Sequence, residues 1–116
     1  MKNIKIWHNP RCSKSRNALN LLEEKGIDAQ VFKYLEESPS KEQLIEVIKL
    51  LNIKPSELLR KGEDIYKELN LKNETDEDKI IDAMVSNPKL IERPIIIRDG
   101  KAVIARPIEN LEELLK

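Results

Sequence analysis

The segment "PIIIRDGKAVIA", residues 94–105, constrains the fold more than any other part of the chain. Two apolar runs flank Asp99-Gly100, a dipeptide typical of two-residue β-hairpin turns. Pairing about this turn sets Ile97 opposite Ala102. Neither run alternates between apolar and polar residues, which predicts that both faces of the hairpin are covered. The chain is therefore expected to contain a sheet with packed layers rather than helices alone.

The N-terminal third of the chain predicts a strand–helix–strand unit. Residues 4–7 predict a short strand, residues 13–25 an amphipathic helix, and residues 29–35 a second strand. Gly26 stands where a left-handed residue commonly ends a helix. Because the helix forms the crossover, we expect parallel strands and a right-handed connection.

The middle of the chain, residues 38–89 approximately, has the pattern of a helical block. Ser40 and Gln43 form a capping-box pattern at the start of one helix. Thr75 and Asp78 indicate the start of a later helix. No strand pattern interrupts this block, so it is expected to form an insertion between the strands at the two ends of the chain.

A last amphipathic helix follows Pro107. The resulting order, β-α-β, helical block and β-β-α, resembles the plan of thioredoxin-like folds. We therefore predict an α/β, thioredoxin-like fold with a four-stranded mixed sheet flanked by helices. The chain is expected to form a single domain, residues 1–116, with a helical insertion at about 38–89.

Composition excludes several kinds of partner. The 21 basic and 21 acidic residues give a formal net charge of zero, so nothing global attracts nucleic acid or an anionic membrane. Aromatic residues make up 3% of the chain, too few for base-stacking surfaces. No signal-peptide core and no membrane span is recognisable. We expect a soluble, cytoplasmic protein that binds no nucleic acid directly and no membrane.

The only cysteine, Cys12, is a candidate nucleophile in the loop "HNPRC". It falls at or beside the N-cap of the first predicted helix, where free backbone N–H groups and the helix dipole favour a thiolate. Ser15 is placed to offer the sulfur a hydrogen bond from the next turn. Further positive charge is expected from Arg11, Lys14, Arg16 and, when protonated, His8.

The alternative for Cys12 is a small buried apolar residue, the commoner role of a lone cysteine. For His8 the alternative is a solvated or hydrogen-bonded loop histidine. A zinc site is not expected, because one cysteine and one histidine cannot supply the usual ligands. The charged neighbours of Cys12 and the proline in its loop argue against burial as filler.

Arg93 and Arg106 are expected to face each other at the open end of the hairpin. Opposed like charges destabilise a sheet unless a counter-ion or water screens them. A bound oxyanion, for which the planar guanidinium is well suited, explains the pair; two separately solvated arginines are the alternative. By analogy with thioredoxin-like folds, the Arg93-Pro94 peptide bond is predicted to be cis.

Four motifs, in order and spread over residues 4–115, resemble those of the glutaredoxin-coupled arsenate reductases: "HNPRCSKSRN", "LLRKGEDIYKELNL", "ERPIII" and "ARPIENL". The resemblance implies that Cys12 attacks arsenate and that His8 lowers the pKa of the thiol. Ser15 occupies the family's serine position. The family's three anion-binding arginines fall on Arg60, Arg93 and Arg106, and the choice of Arg60 rests on the resemblance alone.

The same resemblance implies a role in arsenic detoxification: arsenate is reduced to arsenite through a covalent thiol–arsenate adduct. With a single cysteine, the chain needs an outside thiol, and the family uses glutathione as co-substrate and glutaredoxin as transient partner. No bound cofactor and no metal are expected.

Two other functions remain open from the sequence. The first is an Spx-like transcriptional regulator that binds RNA polymerase, although Ser15 replaces the second cysteine of the regulators' redox switch. The second is a monothiol glutaredoxin-like oxidoreductase, which "CSKS" would permit. The "HNPRC" loop favours the reductase over the regulator, and the paired arginines favour an oxyanion substrate over a glutathione mixed disulfide.

Overall fold

The computed structural model describes residues 4–116. Four strands form one mixed sheet in the order β2-β1-β3-β4. The strands are β1 (Ile4–Trp7), β2 (Gln30–Phe32), β3 (Ile95–Arg98) and β4 (Lys101–Ile104). β1 runs parallel to β2 and antiparallel to β3, so the predicted mixed sheet is confirmed.

The C-terminal hairpin forms as predicted. Ile97 pairs with Ala102, and β3 and β4 are antiparallel. Asp99 and Gly100 both have positive φ, 44° and 79°, as a two-residue hairpin turn requires. The expectation that both faces are covered is wrong for β4, where Lys101 is exposed and the other residues are half-buried, because β4 is an edge strand.

Within the described residues, six α-helices accompany the sheet: α1 (Ser13–Glu24), α2 (Tyr34–Glu37), α3 (Lys41–Leu51), α4 (Asp64–Glu68), α5 (Glu77–Ser86) and α6 (Glu109–Leu114). Three short 3₁₀ segments are Pro55–Leu58, Leu71–Asn73 and Pro88–Leu90. No helix within residues 4–116 is long and apolar enough to cross a membrane.

The end of α1 and the start of β2 each differ from the prediction by one residue, and two other boundaries differ as well. β2 ends at Phe32 rather than at residue 35, because the Lys33 carbonyl accepts backbone hydrogen bonds that open α2. The N-cap of α5 is Asp76, whose side chain accepts from the backbone N–H of Asp78. Several neighbouring short polar residues in this segment can serve as an N-cap, so the sequence alone does not identify which of them caps α5.

The core beneath the cysteine loop is built on one face of the sheet. Ile4 and Ile6 of β1 lie on that face with Ile96 of β3. Ala18 and Leu22 of α1, both fully buried, pack against it together with Leu111 of α6. This packing fixes the axis of α1 and, with it, the position of its first turn.

Contacts divide the described chain into two compact units. The first comprises residues 4–37 and 93–116 and contains the sheet. The second, residues 38–92, is helical: α3 and α5 pack together, and an antiparallel bridge joins Leu59 to Ile91. The capping box of Ser40 and Gln43 is formed as predicted. The single domain stays a prediction.

Candidate functional site

Cys12 is the N-cap of α1 and connects this helix to the loop that follows β1. Its backbone is extended, with φ −95° and ψ 122°. Its N–H donates to the carbonyl of Asn9 at 3.0 Å, and its carbonyl accepts from the N–H of Arg16 at 3.0 Å. With 8% of its surface exposed, Cys12 is buried, so the expectation that its charged neighbours and the proline in its loop argue against burial is wrong.

Two side chains of α1 form hydrogen bonds with this loop. The hydroxyl oxygen of Ser15, fully buried, lies 2.7 Å from Nδ1 of His8 and accepts from the N–H of Asn9 at 3.0 Å. Nη1 of Arg16 donates to the carbonyl of Pro10 at 2.9 Å. These hydrogen bonds hold the main chain of the loop at Asn9 and at Pro10, just before Cys12.

Asn9 was not identified as a site residue from the sequence, and Arg16 was predicted only as a source of positive charge beside Cys12. The side chain of Asn9 accepts from the N–H of Arg11 at 3.0 Å, which closes an Asx turn. The Asn-Pro dipeptide is a signal for such a turn and could have identified it. No comparable signal marks the bond from Arg16 to a loop carbonyl, because it depends on the direction of a long side chain.

Arg106, from the C-terminal segment of the first unit, lies beside the thiol of Cys12. Its Nη2 lies 3.6 Å from Sγ of Cys12, and its Nε donates to the carbonyl of Arg93 at 2.8 Å. The backbone of Pro94 and Ala105 continues the β3–β4 pairing, with the N–H of Ala105 donating to the carbonyl of Pro94 at 3.0 Å. The predicted meeting of Arg93 and Arg106 is therefore observed.

The two arginines meet in a different way from the one expected. The guanidinium of Arg106 donates to the main chain of Arg93 and lies beside the sulfur of Cys12. Arg93 itself is 8% exposed. The Arg93-Pro94 bond is cis, the conformation predicted, and Arg106-Pro107 is cis as well.

The surroundings of Cys12 favour its thiolate. Burial raises the pKa of the thiol, but the backbone N–H of Ser15, the guanidinium of Arg106 and the backbone N–H of Lys14 lower it more, so the pKa lies below its usual range. The side chain forms no capping hydrogen bond. The two amides therefore act on the sulfur as nearby dipoles of the helix terminus.

The surroundings of His8 disfavour the positive charge that protonation would give. It is 5% exposed, and burial, followed by the charges of Lys33 and Arg16, lowers the pKa of its imidazole. Since the ordinary value is about 6.5, the ring is mostly neutral at pH 7. Its effect on the thiol pKa stays a prediction, and the structure connects it to Ser15 rather than to the sulfur.

Arg60, the third predicted anion-binding arginine, belongs to the second unit. Its Nη1 donates to Glu63 at 2.6 Å, its Nε lies 3.8 Å from a carboxylate oxygen of Glu92, and its N–H donates to the carbonyl of Leu90 at 2.7 Å. Two carboxylates thus hold the guanidinium within that unit. Its role toward an anion stays a prediction.

The chemistry available at this site is that of a single activated thiolate beside a guanidinium. A thiolate is a strong nucleophile, and the planar guanidinium binds and stabilises oxyanions. Within residues 4–116 no group of three His, Cys, Asp or Glu side chains is arranged to hold a metal ion. Attack on an electrophilic centre that carries anionic oxygens is the reaction this arrangement favours.

The lowered thiol pKa makes a direct prediction. Because only the thiolate reacts, alkylation of Cys12 by iodoacetamide should reach half its maximal rate at a lower pH than alkylation of an ordinary cysteine. The rate should fall as the pH drops through the pKa of the folded protein. Since the chain has one cysteine, mass spectrometry of the adduct follows this site alone.

The same chain unfolded in urea is the control, and its rate profile should return to the ordinary pKa. Identical profiles for the folded and unfolded chains would contradict a role for Arg106 and the helix terminus in thiolate stabilisation.

Several known proteins are similar to this chain in sequence and in fold. The profile of the ArsC family matches residues 7–114. The chain is 49% identical to the uncharacterized protein YfgD of Escherichia coli K12, over 98% of both chains. It is 47% identical to an arsenate reductase of Neisseria meningitidis, over 99% of this chain and 100% of the relative. The solved arsenate reductase of Vibrio cholerae is 46% identical, with a TM-score of 0.93 and 97% of both chains covered.

Proposed function

Because this chain belongs to the ArsC family, we propose that it reduces arsenate to arsenite with Cys12 as the nucleophile. One observation carries the proposal: the thiol of Cys12 lies at a helix N-terminus, 3.6 Å from the guanidinium of Arg106. A nucleophile and an anion-binding group are thereby adjacent. The arsenate reductases at 46–47% identity support arsenate as the oxyanion.

In the first step the thiolate of Cys12 attacks arsenic(V). A sulfur–arsenic bond forms, and one arsenate oxygen leaves as water after protonation. Arg106 is placed to neutralise the remaining oxygens and the charge that develops during attack. Arg93 fixes the guanidinium through its carbonyl and, with Arg60, completes the proposed set of anion-binding arginines.

Reduction requires two electrons from outside, because the chain has no second cysteine. Two external thiols, proposed to be those of glutathione and glutaredoxin, lose one electron each and form a disulfide. Arsenic(V) gains both electrons, and a second oxygen leaves as water. Hydrolysis of the sulfur–arsenic(III) bond then consumes one water, releases arsenite and restores Cys12.

A coupled assay tests the proposal. With glutathione, glutaredoxin, glutathione reductase and NADPH, we expect NADPH oxidation that depends on arsenate and on this protein, with one arsenite formed per NADPH oxidised. Omitting glutaredoxin tests that component separately. A glutathionylated peptide offered in place of arsenate provides the comparison. Turnover of the peptide without reduction of arsenate would overturn the proposal in favour of a monothiol oxidoreductase.

A further inference from the structure

A groove of about 240 Å³ lies beside the cysteine loop within the first unit. One wall consists of the four loop residues 8–11, which lead directly to Cys12. The other wall consists of Lys33, Leu35 and Glu36, from the turn after β2 and the start of α2. The groove thus borders the nucleophile's loop on a side that the arginines of the proposed oxyanion site do not line.

The groove carries two cations and one carboxylate. Arg11, Lys33 and Glu36 are all exposed, and within residues 4–116 no hydrogen bond or ion pair engages any of their side chains. Leu35, 40% exposed, adds an apolar surface between the charges. An occupant with two carboxylates, one ammonium group and short aliphatic segments would match this set of groups in charge.

The proposed function leaves open where the reducing thiol binds. Glutathione is a low-mass thiol with two carboxylates and one α-ammonium group, and its cysteine lies between them. We propose that the groove binds glutathione, with its carboxylates at Arg11 and Lys33 and its ammonium group at Glu36. The role of this thiol as reductant rests on the proposed function, whereas the binding itself does not.

The groove lies close to the nucleophile along the chain. Arg11 and Cys12 are consecutive, so their Cα atoms are about 3.8 Å apart. An extended tripeptide spans about 10 Å. Glutathione held at its two ends in the groove therefore brings its central cysteine within a few ångströms of the cysteine loop.

Binding can be tested without arsenate and without chemistry. S-methylglutathione, which cannot form a disulfide, is titrated into the wild-type chain and followed by NMR. His8, the only histidine, lines the groove and is the reporter. We expect its ring resonances to shift in a saturable way. The dimethyl ester of S-methylglutathione, which lacks both carboxylates, should bind about tenfold more weakly or not at all.

Charge variants locate the binding. Lys33→Glu should weaken binding of S-methylglutathione about tenfold, since it replaces an attraction by a repulsion. Lys101→Glu, which changes an exposed lysine in β4 outside the groove, is the matched control and should bind like the wild type. A wild-type chain without a saturable shift, or equal affinity of Lys33→Glu and the wild type, would overturn the proposal. Equal binding of the ester would overturn it as well.

Kinetics separate this proposal from the proposed function. In the coupled assay, Lys33→Glu should raise KM for glutathione about tenfold and leave KM for arsenate unchanged. An equal rise in both KM values would show a general charge effect and overturn the assignment of the groove. A chain that binds S-methylglutathione in the groove but reduces no arsenate would refute the proposed function alone.

Discussion

Replacing Cys12 with serine should lower arsenate reduction by at least about 10⁴-fold, to the background of the coupled assay. A serine hydroxyl at this position is a far weaker nucleophile than a thiolate at neutral pH. An oxygen–arsenic bond formed in its place would not give the thiol–arsenate adduct from which reduction proceeds. The measurement is arsenate-dependent NADPH oxidation, with arsenite quantified directly.

The Cys12→Ser substitution is nearly isosteric, so its fold can be checked independently. Its thermal unfolding temperature should stay close to that of the wild type, and it should still bind S-methylglutathione at the groove. Retention of more than a tenth of the wild-type rate would mean that another group performs the attack. In that event the mechanism on Cys12 would be abandoned.

Arg106→Lys should reduce kcat/KM for arsenate by about 10²- to 10³-fold. The guanidinium uses Nε to bind the carbonyl of Arg93 and Nη2 to approach the sulfur, and a single ammonium group cannot keep both directions. Because lysine keeps the positive charge of arginine, the loss of kcat/KM measures the contribution of the geometry of the guanidinium. We also expect the pKa of Cys12 to rise, because a hydrogen bond that favours the thiolate is weakened.

Arg98→Lys is the matched control for this substitution. Arg98 lies on the same hairpin and also donates to a backbone carbonyl, that of Leu114 at 2.8 Å. Its substitution should change kcat/KM less than threefold or so, as is usual for residues away from the reacting atoms. Equal losses in the two variants would show that Arg106 acts through the hairpin rather than through the thiol.

The sheet could be predicted from local signals. The Asp99-Gly100 turn determined which residues of β3 and β4 pair, and that pairing correctly brought Arg93 and Arg106 together. Cys12 was correctly expected at the N-cap of α1, because the change from strand to helical periodicity is steep there. Turns and helix starts depend on residues that are close in sequence, so they can be predicted from a single amino-acid sequence.

The details of the site depend on the direction of side chains and were not predictable. That Arg106 is oriented by a main-chain oxygen of Arg93 follows from tertiary packing. The lowered pKa of His8 follows from burial and from the charge of Lys33, whose proximity is set by the β1–β2 pairing. Ser15 was expected to face the sulfur, yet its hydroxyl holds His8 and Asn9. Sequence spacing allows both arrangements.

Trp7, the residue before His8, is the only tryptophan in the chain and is 2% exposed. Its ring stacks on Tyr34 at 6.2 Å and meets the edge of Phe32 at 5.1 Å, so it touches the neighbours of Lys33 on both sides. When tryptophan is excited selectively over tyrosine, the fluorescence of this protein therefore originates from a single indole, one residue away from His8 in the wall of the groove. Binding of glutathione in the proposed groove should therefore change the tryptophan fluorescence, which can be recorded without attaching a dye.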